Sequence, residues 1–310
     1  MPGLITHYVF GKEAVKALPD SFMKTVLRNK KRPFYLGTQG PDLFSYRFYK
    51  MLYHDHRNIG SYLHHHRTKR FFLEGVTVLN TINSKEEKEY FFSYLTGFLC
   101  HYILDSICHP FVYARTNFNP NYPTNEYYGR HLALENRIDS YYAKNYLHQD
   151  YEKIRQNRIF DLTSKELNAV STSLSKTIIR TFEGLEGAQK NTPKQICKII
   201  QTAKLESKLL SDPNRKKTKV ITSIEKATVG YHLLSDKLIT RQPEDGQDYL
   251  NLSKKIWKDP WKPEEKFNWS FPELFSTALD QAVKLLSIFL ENPLEAVLLL
   301  DDTSYYSGTI

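Results

Sequence analysis

Apolar side chains return every third or fourth position along most of this chain, and the strict alternation of a half-buried strand is scarce. The pattern predicts an all-α protein, a multi-helix bundle. Its helices run over roughly 85–110, 125–147, 163–183, 193–211, 219–238 and 270–291, with shorter ones before residue 80. Start signals agree with the period. Ser84 with Glu87, Thr163 with Glu166 and Ser270 with Glu273 have capping-box spacing, in which each side chain can bond the other residue's backbone N–H. Thr192 before Pro193 sets an N-cap ahead of a residue whose missing N–H costs a first turn nothing. Stops are expected near Asp212-Pro213 and Asn292-Pro293, because the residue before a proline is pushed out of the helical region. Two stretches leave the helical period. "DPNRKKTK" at 212–219 reads as an exposed basic connection, and "WKDPWKPEEKFNW" at 257–269 as an irregular loop that packs its rings against the body.

Composition adds little to this picture. With 310 residues, 41% hydrophobic and 25% charged, the chain can bury a sizeable core and is expected to form one continuous domain over 1–310. The start "MPGLITHYVFGKEAV" lacks the basic-then-apolar pattern of a secretory signal. The apolar run "AVLLL" at 296–300 is far too short to cross a bilayer, so no transmembrane segment and a cytoplasmic location are expected. Cys100, Cys108 and Cys197 form no CxxC pair and read as small buried hydrophobes. A net charge of +9 suits an anionic partner. The lysines, however, are spread along the whole chain rather than gathered in one patch.

The helix expected over 85–110 is unusual inside. "HYILDSICHP" carries His101, Asp105 and His109 at successive steps of four, each of which turns a side chain by only ~40°, so the three form a row on one face. In the next long helix, "HLALE" repeats the step with His131 and Glu135. Facing helices that each offer imidazole and carboxylate at i, i+4 are how an α-bundle builds a metal site in its core. Mixed nitrogen and oxygen donors suit zinc, whereas magnesium and calcium ask for oxygen almost exclusively. Burying these five side chains without a metal would leave charges that each cost several kcal/mol if unpaired.

Other stretches complete the pattern: "THYVFG" with His7, "LGTQGPDLFSY" with Asp42 after a Gly-Pro turn, and "NIGSYLHHHRT" with three consecutive histidines. In this order, with "GFLCHYILD" as a His-Tyr-x-x-Asp core and "HLALE" as a His-x-x-x-Glu core, the chain resembles the zinc-dependent phospholipase C family, whose fold is shared with single-strand-specific zinc nucleases. The resemblance runs through residues 4–135, and more faintly to the C-terminal "DDTSYYSG". It implies that Asp42, His64, His101 and Asp105 hold one zinc, and that His109, His131 and Glu135 hold a second. His7, with Asp105 as a bridge, would hold a third, so two or three ions are expected. "IGSYLH" selects His64 from the cluster, leaving His65 and His66 to solvent or to contacts behind the metal ligands. His54 and His56 could mimic a metal pair, while His148 and His232 have no suggestive neighbours. In secreted members of the family the processed N-terminus itself ligates zinc; no processed segment is expected here, and the amine of Pro2, exposed if Met1 is removed, stays open as a ligand of the His7 site, the least secure of the three. The spacing of Asp105 to His109 is also shorter than in those members.

The chemistry implied is hydrolysis of a phosphodiester, such as a phospholipid head group or another small phosphoester, by a metal-activated water. Asp105 would act as shared ligand and Asp42 as ligand or general base. The segment 110–130 is expected to be a long loop hanging over the metals. Phe118, Tyr122, Tyr127 and Tyr128 are its substrate-binding candidates, by cation-π contact with a choline-like group, against the alternative of plain packing. Two further readings keep the metals: a nuclease or nucleotide phosphatase acting on nucleic acid or its monomers, and a non-catalytic metal-binding relative.

Overall fold

The computed structural model describes residues 3–46, 59–120, 125–228, 235, 238–240, 246–305 and 307–308. Among them run α1 (Leu4–Ala17), α2 (Phe22–Asn29), α3 (Lys31–Gly37), a 3-10 turn (Gly40–Ser45), α4 (Ile59–His65), α5 (Thr68–Asn80), α6 (Lys85–Arg115) and α7 (Asn125–Tyr146). Beyond two short 3-10 turns at Tyr151–Lys153 and Gln156–Phe160 follow α8 (Ser164–Thr181), α9 (Pro193–Leu210), α10 (Lys216–Thr228), a hairpin β1 (Trp257–Asp259) and β2 (Lys262–Phe267), α11 (Phe271–Glu291) and α12 (Pro293–Leu298). The architecture is the all-α bundle that the periodicity predicts.

Helix α6 is the axis of the bundle. Ser84 accepts a hydrogen bond from the Glu87 N–H (3.4 Å), and Glu86 and Glu87 set negative charge at the positive end of the helix dipole. Around it Phe98 packs on Phe71 of α5 (4.5 Å between centroids), Phe92 on Phe289 of α11 (5.6 Å) and Phe111 on Phe271 (5.8 Å). Each buried ring of this kind stabilises the fold by about 1.5–3 kcal/mol. α6 is also the one described segment long and apolar enough to cross a membrane, which the sequence reading did not anticipate. Most of its apolar window, 89%, is covered by the surrounding helices, as in a core helix.

Capping holds as the spacing predicts at Thr163, whose hydroxyl accepts from the Glu166 N–H while Glu166 accepts from the Thr163 N–H (3.3 and 2.7 Å). At Ser270 it is the Glu273 carboxylate that accepts, from both the backbone N–H and the hydroxyl (2.8 Å each).

Three expectations are corrected. α6 does not stop near residue 110; it passes through Pro110 to Arg115. The proline frees the carbonyl of Ser106, against which the chain lies so closely at Gly308 that a Cβ there would come within 2.6 Å. Full burial of Cys108, Phe111 and Val112 offsets the roughly 3 kcal/mol that an internal proline costs. The connection to α7 is therefore only residues 116–124, not the long loop expected over 110–130. The stretch 257–269 is likewise ordered as an antiparallel hairpin, not an irregular loop. Trp257 pairs with Phe267 and stacks on it (4.9 Å), Asp259 accepts from the Trp261 N–H to close the turn (2.8 Å), and Trp257 meets Phe111 edge-on (5.5 Å). Within "DPNRKKTK" a helix begins at Lys216, with buried Asp212 accepting from the N–H and hydroxyl of Thr218 (2.7 Å each). After Asn292 a new helix starts at once, the asparagine accepting from the Glu295 N–H (3.3 Å).

Candidate metal centre

The site begins with a close helix crossing. A Cβ on Gly37 would lie 2.1 Å from the Tyr94 carbonyl oxygen, and one on Gly97 the same distance from that of Phe34, so only glycines let α3 and α6 touch backbone to backbone. One turn beyond Gly97 the crossing brings the Thr38 carbonyl to His101, whose Nδ1 lies 3.0 Å away. Gly40 then turns the chain with φ +49°, in the left-handed region that glycine adopts without cost, and passes the His101 ring so closely that a Cβ would be 2.4 Å from it. The 3-10 turn that follows carries Asp42 into the same space.

Around His101 the side chains converge from α1, the 3-10 turn, α4 and α6. Asp42, His64 and His101 offer ligand atoms within 4.8 Å of one another, and so do His7, His101 and Asp105. His101 Nε2 lies 2.9 Å from Asp105 Oδ2, His7 Nε2 3.1 Å from Asp105 Oδ1, and His64 Nε2 3.3 Å from Asp42 Oδ1. The rings of His7 and His101 stack at 3.9 Å. The four residues grouped on one ion by resemblance thus lie in two overlapping triads that share His101, with Asp105 on the His7 side.

Further along α6, His109 faces α7. Its ring centroid is 6.1 Å from that of His131, whose Nε2 lies 2.7 Å from Glu135 Oε1 one turn on. A C-terminal strap ties this end to the other: the Tyr305 carbonyl accepts from His109 Nδ1 (2.6 Å), while the Tyr305 N–H donates to the His64 carbonyl (3.1 Å). The Tyr305 ring is buried between Tyr102 (4.9 Å) and His64 (5.3 Å).

This chemistry fits a metal. In His64, His101 and His109 the Nδ1 atom is turned to a backbone carbonyl of Gly60, Thr38 or Tyr305, which directs Nε2 inward as a donor. Both nitrogens of His7, Nε2 of His101, Oδ1 of Asp42 and both carboxylate oxygens of Asp105 are buried and close together, yet make no hydrogen bonds. Buried polar atoms left so cost about 1–3 kcal/mol each, and a central cation removes that cost. Burial pushes the imidazoles of His7, His109 and His131 below their ordinary value, toward the neutral form that ligates. Burial opposes ionisation of Asp105 as well, but the imidazoles of His101, His109 and His7 outweigh it and hold the carboxyl well below the usual range. For His101 the carboxylates of Asp105 and Asp42 more than offset burial and raise the imidazole.

Of the neighbouring histidines, His65 and His66 are exposed, as is His148. His54, His56 and His232 lie outside the described residues, and so does Tyr122. The aromatic candidates divide. Tyr127 is buried, shares a hydrogen bond with His131 Nδ1 (2.6 Å) and packs with Phe118 (4.6 Å). Tyr113 and Trp261, neither singled out from the sequence, complete that cluster at 4.8 Å from each other. Tyr128, 42% exposed, borders a cavity of about 170 Å³ that also touches Asp42 and Glu135.

Sequence reasoning also passed over Asp139. It sits four residues beyond Glu135 and so continues the row of His131 and Glu135, which was the available signal. Buried, it accepts hydrogen bonds from the Ile5 N–H (3.1 Å), the Thr6 N–H (2.8 Å) and the Thr6 hydroxyl (2.7 Å). It thereby satisfies the open donors at the start of α1, one residue before His7.

Comparison with curated proteins returns no match, and neither does comparison with solved structures. The sequence profile of the zinc dependent phospholipase C family, by contrast, matches residues 6–184, more than half of the chain and every element that carries the clustered histidines and carboxylates, so this protein belongs to that family.

Proposed function

We propose that the protein is a zinc-dependent phosphodiester hydrolase of phospholipase C type, in which a metal-activated water attacks phosphorus. The observation that carries this reading is the convergence of His7, Asp42, His64, His101 and Asp105, drawn from four elements, with buried oxygen and nitrogen atoms of His7, Asp42, His101 and Asp105 that make no hydrogen bonds. Bound zinc ions supply Lewis acidity and a water of near-neutral pKa.

The chain's own residues hold and orient. Asp105, reached by His7 and His101 on its two oxygens, is the natural shared ligand, and His109, His131 and Glu135 form the second donor set. Asp42 is the only carboxylate of the two triads with part of its side chain, 17%, open to solvent, which suits it to accept a proton from the attacking water. Tyr128 borders the neighbouring cavity, which supports a role for it in contacting the substrate. Phe118 and Tyr127 act behind it, as packing that steadies His131.

The test is metal analysis of the purified protein, followed by assays on phosphatidylcholine micelles, chromogenic phosphodiesters and single-stranded DNA. Zinc with hydrolysis of the lipid or of small diesters supports the proposal. DNA degradation alone would make the protein a nuclease, and full zinc loading without turnover a binding protein.

A further inference from the structure

The sequence suggests that positive charge is spread evenly, but the fold gathers part of it. On the side of α1 away from the metal centre, a groove of about 920 Å³ is lined by six cationic side chains: Lys12, Lys31, Arg32, Lys153, Arg155 and Arg158. They come from α1, α3 and the segment 151–161. Arg32 lies 3.8 Å from Glu166, and Lys153 2.7 Å from Asp150. Lys12, Lys31, Arg155 and Arg158 have no carboxylate within ion-pairing distance among the described residues. The one acid in the lining, Asp161, is already engaged by Lys204 (2.5 Å) from outside it. Like charges held together without counter-ions repel, so the arrangement has no stabilising purpose of its own.

The groove floor adds hydroxyl donors. Tyr8 and Tyr35 meet edge to face at 4.6 Å, and Lys12 Nζ lies 5.6 Å from the Tyr8 ring centre. The segment 151–161 divides this groove from the metal-side cavity. Tyr151 and Gln156 turn inward to that cavity, which carries Asp42, Glu135, Asp139 and Glu206 and no cation, whereas Lys153, Arg155 and Arg158 turn outward. The two spaces are electrostatic opposites with one wall between them.

We propose that this groove is a second binding site, for a compact ligand carrying two or more phosphate groups. Arginine forks and lysine point charges together are the usual receptors for phosphate oxygens. A single phosphate would fill only a small part of about 920 Å³, so a groove of this size with six cations in its lining suits a ligand with more than one such group. The cations line a concavity within the ~300–1,000 Å³ range of small-ligand sites, and Lys153, Arg155 and Arg158 also border a neighbouring cavity of about 580 Å³. Clustered phosphates reach a protein either as free polyphosphate or as a polyphosphorylated lipid head group, and both present the same chemistry here.

The experiment titrates the zinc-loaded, full-length protein with sodium tripolyphosphate, with phosphatidylcholine vesicles containing a bisphosphorylated inositol lipid, and with a single-stranded oligonucleotide. It is repeated on Arg155→Glu/Arg158→Glu, whose exposed side chains bear no packing load, with thermal melting and zinc content as controls for folding. Saturable binding of tripolyphosphate, weakened at least tenfold in the double variant with zinc content unchanged, supports the site and marks the free ligand. The same loss seen only with vesicles supports it and marks the lipid. Equal affinity in wild type and variant would mean that phosphate reaches the metals instead, and overturns the proposal. So does the absence of binding to both probes, or tighter variant-sensitive binding of the oligonucleotide than of either.

Discussion

His109 and Tyr305, 196 residues apart in sequence, are joined by a 2.6 Å hydrogen bond from the imidazole Nδ1 to the backbone carbonyl. The bond fixes the tautomer and turns Nε2 inward. Because the N–H of Tyr305 also donates to the His64 carbonyl (3.1 Å), one residue beyond the family match steadies two histidines of the centre.

Tyr305→Ala should therefore loosen both histidines. We expect a roughly 10–100-fold loss of zinc affinity, as for other outer partners of metal ligands, and a stability loss of about 3 kcal/mol from emptying a buried aromatic site. Tyr305→Phe keeps the ring and both backbone bonds and should retain zinc. Competition with a zinc chelator and urea unfolding measure the two effects; identical zinc affinity in the Ala variant and wild type would sink the strap's role.

Gly40→Ala places a methyl 2.4 Å from the His101 ring on a backbone with φ +49°. Strain and clash act together, and destabilisation of more than ~1 kcal/mol with loss of bound zinc is the expected result. Gly97→Ala strikes the Phe34 carbonyl at 2.1 Å and should separate α3 from α6. Its urea midpoint should fall at unchanged m-value, which would not happen if the crossing had room to spare.

His101→Ala and Glu135→Ala should each lower bound zinc by at least one equivalent, measured by mass spectrometry of the dialysed protein. Chelation of the wild type should lower its melting temperature, since a ligand that binds only the folded state stabilises it by mass action. Unchanged stoichiometry in both variants would show that these side chains do not hold the ions.

Burial raises the Asp139 carboxyl to about 7, from an ordinary value of 3.8. An acid raised on folding keeps its proton in the native state while the unfolded chain has lost it. Its contribution is therefore intact below about pH 4 and declines as pH rises to about 7, by an amount on the order of a few kcal/mol. Asp139→Asn, which cannot ionise, should flatten that part of the stability profile relative to wild type. Chemical denaturation at pH 5, 6, 7 and 8 tests this, and parallel profiles for the two proteins would refute it.

Periodicity and cap chemistry made most of the helices legible because both are local: they depend on residues within a turn or two of each other. The row of His101, Asp105 and His109 was legible for the same reason. Pro110 misled, since a proline is a local breaker whose cost here is offset by packing from distant elements and whose freed carbonyl faces the C-terminal strap. The hairpin at 257–267 was hidden because its strands are short and its order comes from Trp257 against Phe111 and Trp261 against Tyr113. Asp139 was within reach, one step of four past Glu135, but nothing local says that its partners are Ile5 and Thr6.

What the sequence determined by itself, then, is the set of helices and the donor atoms that they carry, together with membership of a zinc family. Only the tertiary structure decided how those donors are shared, with His101 in both triads, which backbone carbonyls aim the imidazoles, and that Lys12, Lys31 and Arg158 meet in one groove. The reason is physical: helix propensity acts over a few neighbouring residues, whereas ligand convergence and charge clustering depend on contacts between segments from about twenty to well over a hundred positions apart, which exist only once the core has closed.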